Sequence, residues 1–112
     1  LSQSYTTKEM QERVHAFISQ FEEGYFSPLS MTARLTEELG ELAREVNHVY
    51  GEKPKKSTES DKALEEELGD LLFVIMTFAN SLNLDLSEAF EQSMSKIETR
   101  DQNRWTKKET ES

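Results

Sequence analysis

The sequence predicts an all-α fold, a small four-helix bundle. Apolar side chains recur at steps of three and four through four successive segments. Glu, Leu, Lys, Ala and Gln fill those segments, and only 4 Gly and 2 Pro occur in 112 residues, so local propensity leans helical throughout. That length suits one domain with a modest core, expected over residues 1–105, with 106–112 as a disordered tail.

The first helix is expected at about residues 6–22, where Met10, Val14, Phe17, Ile18 and Phe21 share a face. It should end in EEGYFSPLS, because Gly24 and Pro28 interrupt helical geometry, and Ser27 ahead of Pro28 is a ready N-cap for the next helix. The second helix, about 29–50, carries Leu35, Leu39, Leu42, Val46 and Val49 as a narrow seam and should cap at Gly51. Residues 51–60 are polar, hold Pro54, Lys53, Lys55 and Lys56, and are expected to form a solvated connection within one domain. The third helix, about 59–82, turns from acidic to LLFVIMTFA at 71–79, with Thr77 its sole polar side chain, and is expected to be central and covered on most sides. Asn83 and Asp85 mark a break. The fourth helix, about 86–99, places Leu86, Ala89, Phe90, Met94 and Ile97 on one face.

Charge narrows the function classes. The formal net charge is −9 and the pI about 4.7, which leaves no broad basic surface for duplex nucleic acid or an anionic membrane. The absence of cysteine removes disulfides, zinc–thiolate sites and thiol nucleophiles. No apolar run reaches about 18 residues and the N-terminus lacks a signal-peptide layout, so a cytoplasmic protein is expected.

One acidic motif occurs twice. EELGE at 37–41 returns as EELGD at 66–70. Glu38, Glu41 and Glu45 form a row flanking the apolar seam of the second helix, and Glu67 and Asp70, three apart, begin a row that continues as Val74 and Phe78. A solvated face explains any single Glu. Two motifs beside a dry seam are different, because like charges at this spacing repel and carboxylates near an apolar interior cost several kcal/mol unless neutralised. The nearest bases are Arg34, Arg44 and Lys62, outside both motifs, so a bound divalent cation is the expected neutraliser. Gly40 and Gly69 sit at the same place in both motifs, each costing about 1 kcal/mol against Ala, and suggest either close backbone approach or helix packing. Oxygen-only ligands suit magnesium or manganese. A di-iron bundle needs Glu-x-x-His on two helices; ERVH and EVNH supply those letters at Glu12/His15 and Glu45/His48, but neither coincides with the repeated motif.

The ordered set Glu37, Glu38, Glu41, then Glu67 and Asp70 after a 25-residue spacer, followed by an apolar helix and Lys96-x-x-x-Arg100, resembles the MazG-type nucleoside triphosphate pyrophosphohydrolases. The likeness covers about residues 30–100. It implies a MazG-like bundle assembled as a tight dimer or dimer of dimers, converting NTP or dNTP to the monophosphate and pyrophosphate with Mg2+, or Mn2+. By that resemblance Glu38, Glu41, Glu67 and Asp70 are the metal ligands; Glu37 and Glu41 are the expected catalytic carboxylates, and the general base is one of Glu37, Glu41 and Glu45. Lys96 and Arg100 match the family's basic pair and, with Arg104 one turn on, are the expected phosphate contacts; Asn80 is either a base or sugar contact or a helix cap, and Tyr25, Phe26 and Trp105 are candidates to stack on the base. The competing readings are a non-catalytic helical interaction or nucleotide-sensing protein with a metal-stabilised bundle, and a carboxylate-rich metal buffer.

Overall fold

The computed structural model describes residues 4–51 and 57–109, and in them the expected four α-helices appear without any strand. Helix α1, Thr7–Ser19, starts from a capping box: the Thr6 hydroxyl accepts from the Glu9 N–H at 3.1 Å, and the Glu9 carboxylate accepts from the Thr6 N–H at 2.8 Å. It ends three residues earlier than periodicity predicts. Phe21 N–H bonds to Ile18 O and Gly24 N–H to Phe21 O, both at 3.2 Å, and Gly24 takes the left-handed φ of 60° that lets the chain turn away. Phe21 still packs edge-on against Phe17, with ring centroids 5.3 Å apart, so its apolar signal was real although its helix was not.

Helix α2, Pro28–Tyr50, begins as expected, with Ser27 accepting from the Ser30 N–H and Pro28 in the first turn. At its end Gly51 N–H bonds to Asn47 O at 2.7 Å, and a Cβ on Gly51 would collide with that carbonyl. Helix α3 spans Ser57–Ser81. After a turn in which Asn83 adopts φ 56°, Asp85 caps helix α4, Leu86–Arg100, by accepting from Ser87 N–H at 2.8 Å. Lys53, Lys55 and Lys56, and the last residues of the expected tail, lie outside the described residues; 106–109 have no regular structure.

Helices α2 and α3 make the most extensive contact and form a hairpin, since Glu38 and Asp70 lie nearly equally far from the connection and face each other. Helix α1 packs on α3, and α4 docks chiefly on α1. The buried apolar core is small: Met31, Val74, Met76 and Ala79, with Thr77 buried beside them and its hydroxyl donating to Val74 O at 2.8 Å.

The burial pattern corrects the expected seam. On α2 the fully buried positions are Met31, Glu38 and Glu45, with Leu35, Leu42 and Val49 half-buried between them, a stripe stepping by four and three. Leu39 and Val46, expected inside, are 56% and 42% exposed. The glutamates therefore occupy the seam rather than its flank. Nor is α3 covered on most sides, because Leu68, Leu72 and Phe73 are exposed. The apolar face of α4 is likewise open at Phe90, 66% exposed, and Ile97. The chain's radius of gyration, 18.0 Å, exceeds the roughly 13 Å of a compact domain of this length.

Gln11 of α1 holds the distal end of the fold together. Its Nε2 donates to Asn80 Oδ1 and Leu84 O, its Oε1 accepts from Leu86 N–H, and Asn80 Nδ2 donates back to Gln11 O, each at 2.9 Å. Gln11→Ala removes three of these bonds and leaves partners in a part-buried junction. It is expected to lower the unfolding free energy by about 1–2 kcal/mol in urea titrations, while Gln92→Ala on exposed α4 stays within about 0.5 kcal/mol.

Candidate metal centre

Two facing helices build the site. Glu38 projects from the buried stripe of α2, and Glu67 and Asp70, one turn apart on α3, meet it: one carboxylate oxygen from each of the three lies within 4.8 Å of the others. Glu41, exposed and one turn along α2 from Glu38, comes within hydrogen-bonding reach of Glu67. Three of the four predicted metal ligands are thus gathered in one place with Glu41 beside Glu67, while Glu37 is exposed and outside the group.

The electrostatics are adverse without a counterion. Oε2 of Glu38 and Oε2 of Glu67 are buried with no hydrogen-bond partner. Partial burial, then the charge of Glu41 and the hydrogen bond with it, then Asp70 and Glu38, raise the Glu67 carboxyl above its ordinary range. One base does reach the group, contrary to expectation: Arg34 Nε lies 3.6 Å from Glu38 Oε1. It is long and half-exposed, and a single guanidinium faces four carboxylates. The Lys62 side chain is outside the described residues. Orphaned buried oxygens plus an all-oxygen donor set fit a divalent hard cation. The group contains no histidine, because His48 Nδ1 contacts Glu45 Oε1 at 3.5 Å and His15 is engaged elsewhere, so di-iron ligation finds no support among the described residues.

Arg34 also lines a cavity of about 340 Å³ next to the carboxylates, walled by Phe17, Phe21, Tyr25, Phe26 and Phe73. Its Tyr25 wall is held by His15, whose Nδ1 lies 2.9 Å from the phenol oxygen and whose ring stacks at 5.8 Å, while Ser19 Oγ lies 3.2 Å from Nε2. Of the three aromatic candidates, Tyr25 and Phe26 are here, and Trp105 is at the far end of α4. Arg34 was legible as the i,i+4 partner of Glu38, whereas His15 had no sequence signal, since its partner is ten residues away across a turn.

The predicted substrate contacts are not brought to the carboxylates within one chain. Asn80 stands about 15 Å along α3 from Asp70 and its amide is engaged at both ends by Gln11. Lys96 and Arg100 lie on α4, which packs on α1 rather than α2, and Arg104 follows it. The two expected roles for the motif glycines also fail within one chain, because a Cβ on Gly40 or Gly69 would meet nothing within 4 Å. Gly69 instead floors an open groove of about 460 Å³ with Met10, Leu72, Phe73 and Met76.

Residues 26–105 match the family described as the MazG nucleotide pyrophosphohydrolase domain. The chain belongs to the MazG family. It is therefore a hydrolase of the nucleotide pyrophosphohydrolase class. Among its relatives is the uncharacterized protein YpjD of Bacillus subtilis (strain 168), 64% identical over 104 residues and covering 93% of this chain and 94% of the relative. The crystal structure of YPJD from Bacillus subtilis superposes with a TM-score of 0.79 at 61% identity, over 86% of this chain and 98% of that one. A Bacillus-conserved MazG protein, described as a nucleotide pyrophosphohydrolase, superposes with a TM-score of 0.78 at 57% identity, over 89% and 97% respectively. The matched span contains every carboxylate of this MazG centre, together with Arg34, Arg100 and Arg104. No helix of the described residues is long and apolar enough to cross a membrane.

The raised Glu67 carboxyl has a signed consequence. Its contribution to stability is fully present below the ordinary glutamate range and is lost as pH rises through the raised one, so the metal-free fold is strained at neutral pH. Glu67→Gln is expected to melt above the native protein at pH 7 without metal, with the gap closing as pH falls to about 4. A divalent cation should raise the melting temperature of the native protein much more than that of the variant, and its affinity should drop as acid protonates Glu67.

Proposed function

We propose that this chain hydrolyses nucleoside triphosphates, ribo or deoxyribo, to the monophosphate and pyrophosphate, with Mg2+ or in its place Mn2+ held by Glu38, Glu41, Glu67 and Asp70. The observation that carries the proposal is the burial of Glu38 in the α2–α3 seam, with one oxygen left unpartnered and its carboxylate within 4.8 Å of those of Glu67 and Asp70. A fold that accepts that cost keeps the site for a cation. When bound, the cation supplies charge neutralisation and Lewis acidity to the polyphosphate.

The residues of the chain account for the rest. The oxygen of water bonds to the α-phosphorus as the α–β anhydride bond breaks, and pyrophosphate leaves with the bonding electron pair. Glu41, exposed at the edge of the group, holds the proton released from that water on its carboxylate, with Glu37 beside it as the second acceptor. The aromatic cavity receives the base, Tyr25 and Phe26 offering faces for stacking, and Arg34 spans the distance between cavity and carboxylates. Lys96, Arg100 and Arg104 take the triphosphate. Since α4 packs away from α2 in its own chain, those cations come from a second copy, which also covers Leu39, Leu68, Leu72 and Phe90. The working unit is a homodimer or a dimer of dimers. Asn80 we assign to the junction with Gln11 rather than to the substrate.

Incubation with each NTP and dNTP plus magnesium should release monophosphate and pyrophosphate for at least one nucleotide; binding without turnover for all, modified ones included, would leave a nucleotide sensor. Glu41→Gln and Asp70→Asn should each lose on the order of 10²-fold or more in kcat/KM with circular dichroism unchanged. Full activity in both would remove the metal assignment. Sedimentation equilibrium should give at least twice the 13.0 kDa chain mass, and mixing inactive Asp70→Asn chains with Arg100→Ala chains, which need more substrate, should raise turnover at low substrate above that of either alone.

A further inference from the structure

The end of α4 holds an acid where helix electrostatics oppose one. Asp101 caps α4, its N–H donating to Ile97 O at 2.9 Å, and its carboxylate therefore sits at the negative end of the helix dipole. The side chain is nevertheless largely enclosed, 17% exposed, between two arginines that are each 60% exposed. Arg100 donates fork to fork, Nε to Oδ1 at 3.0 Å and Nη2 to Oδ2 at 3.1 Å. Arg104 places Nη1 3.5 Å from the same Oδ1, and its backbone N–H donates to the Asp101 carbonyl at 3.1 Å. On its other side the Arg104 guanidinium lies 5.1 Å from the centroid of the Trp105 ring.

A guanidinium has five N–H donors, and Asp101 occupies a minority of them on either arginine. The remaining donors of both, held side by side, are free for a second anion. Left alone, two long side chains of like charge would separate and sample many rotamers, and an incoming phosphate would have to order both.

We propose that Asp101 is a positioning residue for the hydrolase reaction: it clamps Arg100 and Arg104 together so that their outward N–H groups form a preset cradle for the leaving pyrophosphate portion of the substrate. The clamp rests on the assignment of these arginines to the triphosphate. Asp101 itself contacts no substrate. Its carboxylate holds the inner edges of the guanidiniums, and the phosphate oxygens accept from the outer ones.

Steady-state kinetics on the full chain with magnesium test this. Asp101→Asn keeps the size of the side chain and removes its charge. KM for the triphosphate and the inhibition constant for inorganic pyrophosphate should both rise about tenfold, the order of one lost charge-assisted contact, while kcat changes less than twofold. The effect should vanish in an Arg100→Ala/Arg104→Ala background, because there is nothing left to clamp. If Arg100→Ala raises KM but Asp101→Asn leaves it unchanged or lowers it, the clamp is wrong and the triphosphate assignment stands. If the single arginine variants leave KM unchanged, that assignment fails and the clamp fails with it. An Asp101→Asn effect of equal size in the double-arginine background would mark a helix-end role and overturn the proposal. Asp101→Glu, which keeps the charge, should recover part of the affinity lost in Asp101→Asn; no recovery with helicity intact would also overturn it.

Discussion

The structure turns on two glutamates standing where a helical hairpin normally has leucines. Glu38 and Glu45 occupy the buried stripe of α2, and Glu38 faces Glu67 and Asp70 across it. Apolar residues at those positions would make a better hairpin, since an uncompensated carboxylate near a dry interior costs more than a leucine gains. Arg34 relieves one oxygen weakly and from solvent. On the proposed assignment, the remaining charge would tie folding of the hairpin to occupation by a cation, which would make the metal centre a structural element of the core as well as the place of chemistry.

Around that hairpin the other helices divide the work. Helix α1 packs on α3 with Phe17 and, through the turn after it, supplies Phe21, Tyr25 and Phe26 to the aromatic cavity. Its Gln11 grips the α3–α4 junction through hydrogen bonds rather than through apolar burial. That leaves α4 oriented but little covered. A single chain consequently shows an acidic centre and a basic terminal helix that do not meet, with leucines and phenylalanines exposed on the outer faces of α2, α3 and α4. The proposed second copy would make those features consistent with one another, because the apolar faces are what an obligate helical interface would bury.

The glycines of the repeated motif belong to the same picture. Neither Gly40 nor Gly69 is forced by contacts in its own chain, and each opens toward surface that the chain does not fill. Intrachain packing therefore gives no reason to retain a residue that weakens a helix interior by about 1 kcal/mol.

Much was legible from residue order alone. Four helices, the Ser27–Pro28 start of α2, the Asp85 break before α4 and the repeat of one acidic motif on two helices, which brings Glu38 to Glu67 and Asp70, follow from local periodicity, capping chemistry and i,i+3 geometry. Those are short-range properties, and each involves residues within a few turns of one helix or a repeated pattern on two. What the tertiary structure decided is which face of each helix turns inward. Spacing of four and three fits the stripe through Leu39 and Val46 as well as the one through Glu38 and Glu45, and hydrophobicity favours the first, yet the second is buried. Only the placement of α3 and its carboxylates selects it. The tertiary fold also decided that His15 would hold Tyr25 and that Gln11 would take both ends of Asn80, because the partner of a polar side chain that reaches beyond its own helix is set by the path of the backbone and not by its neighbours in sequence.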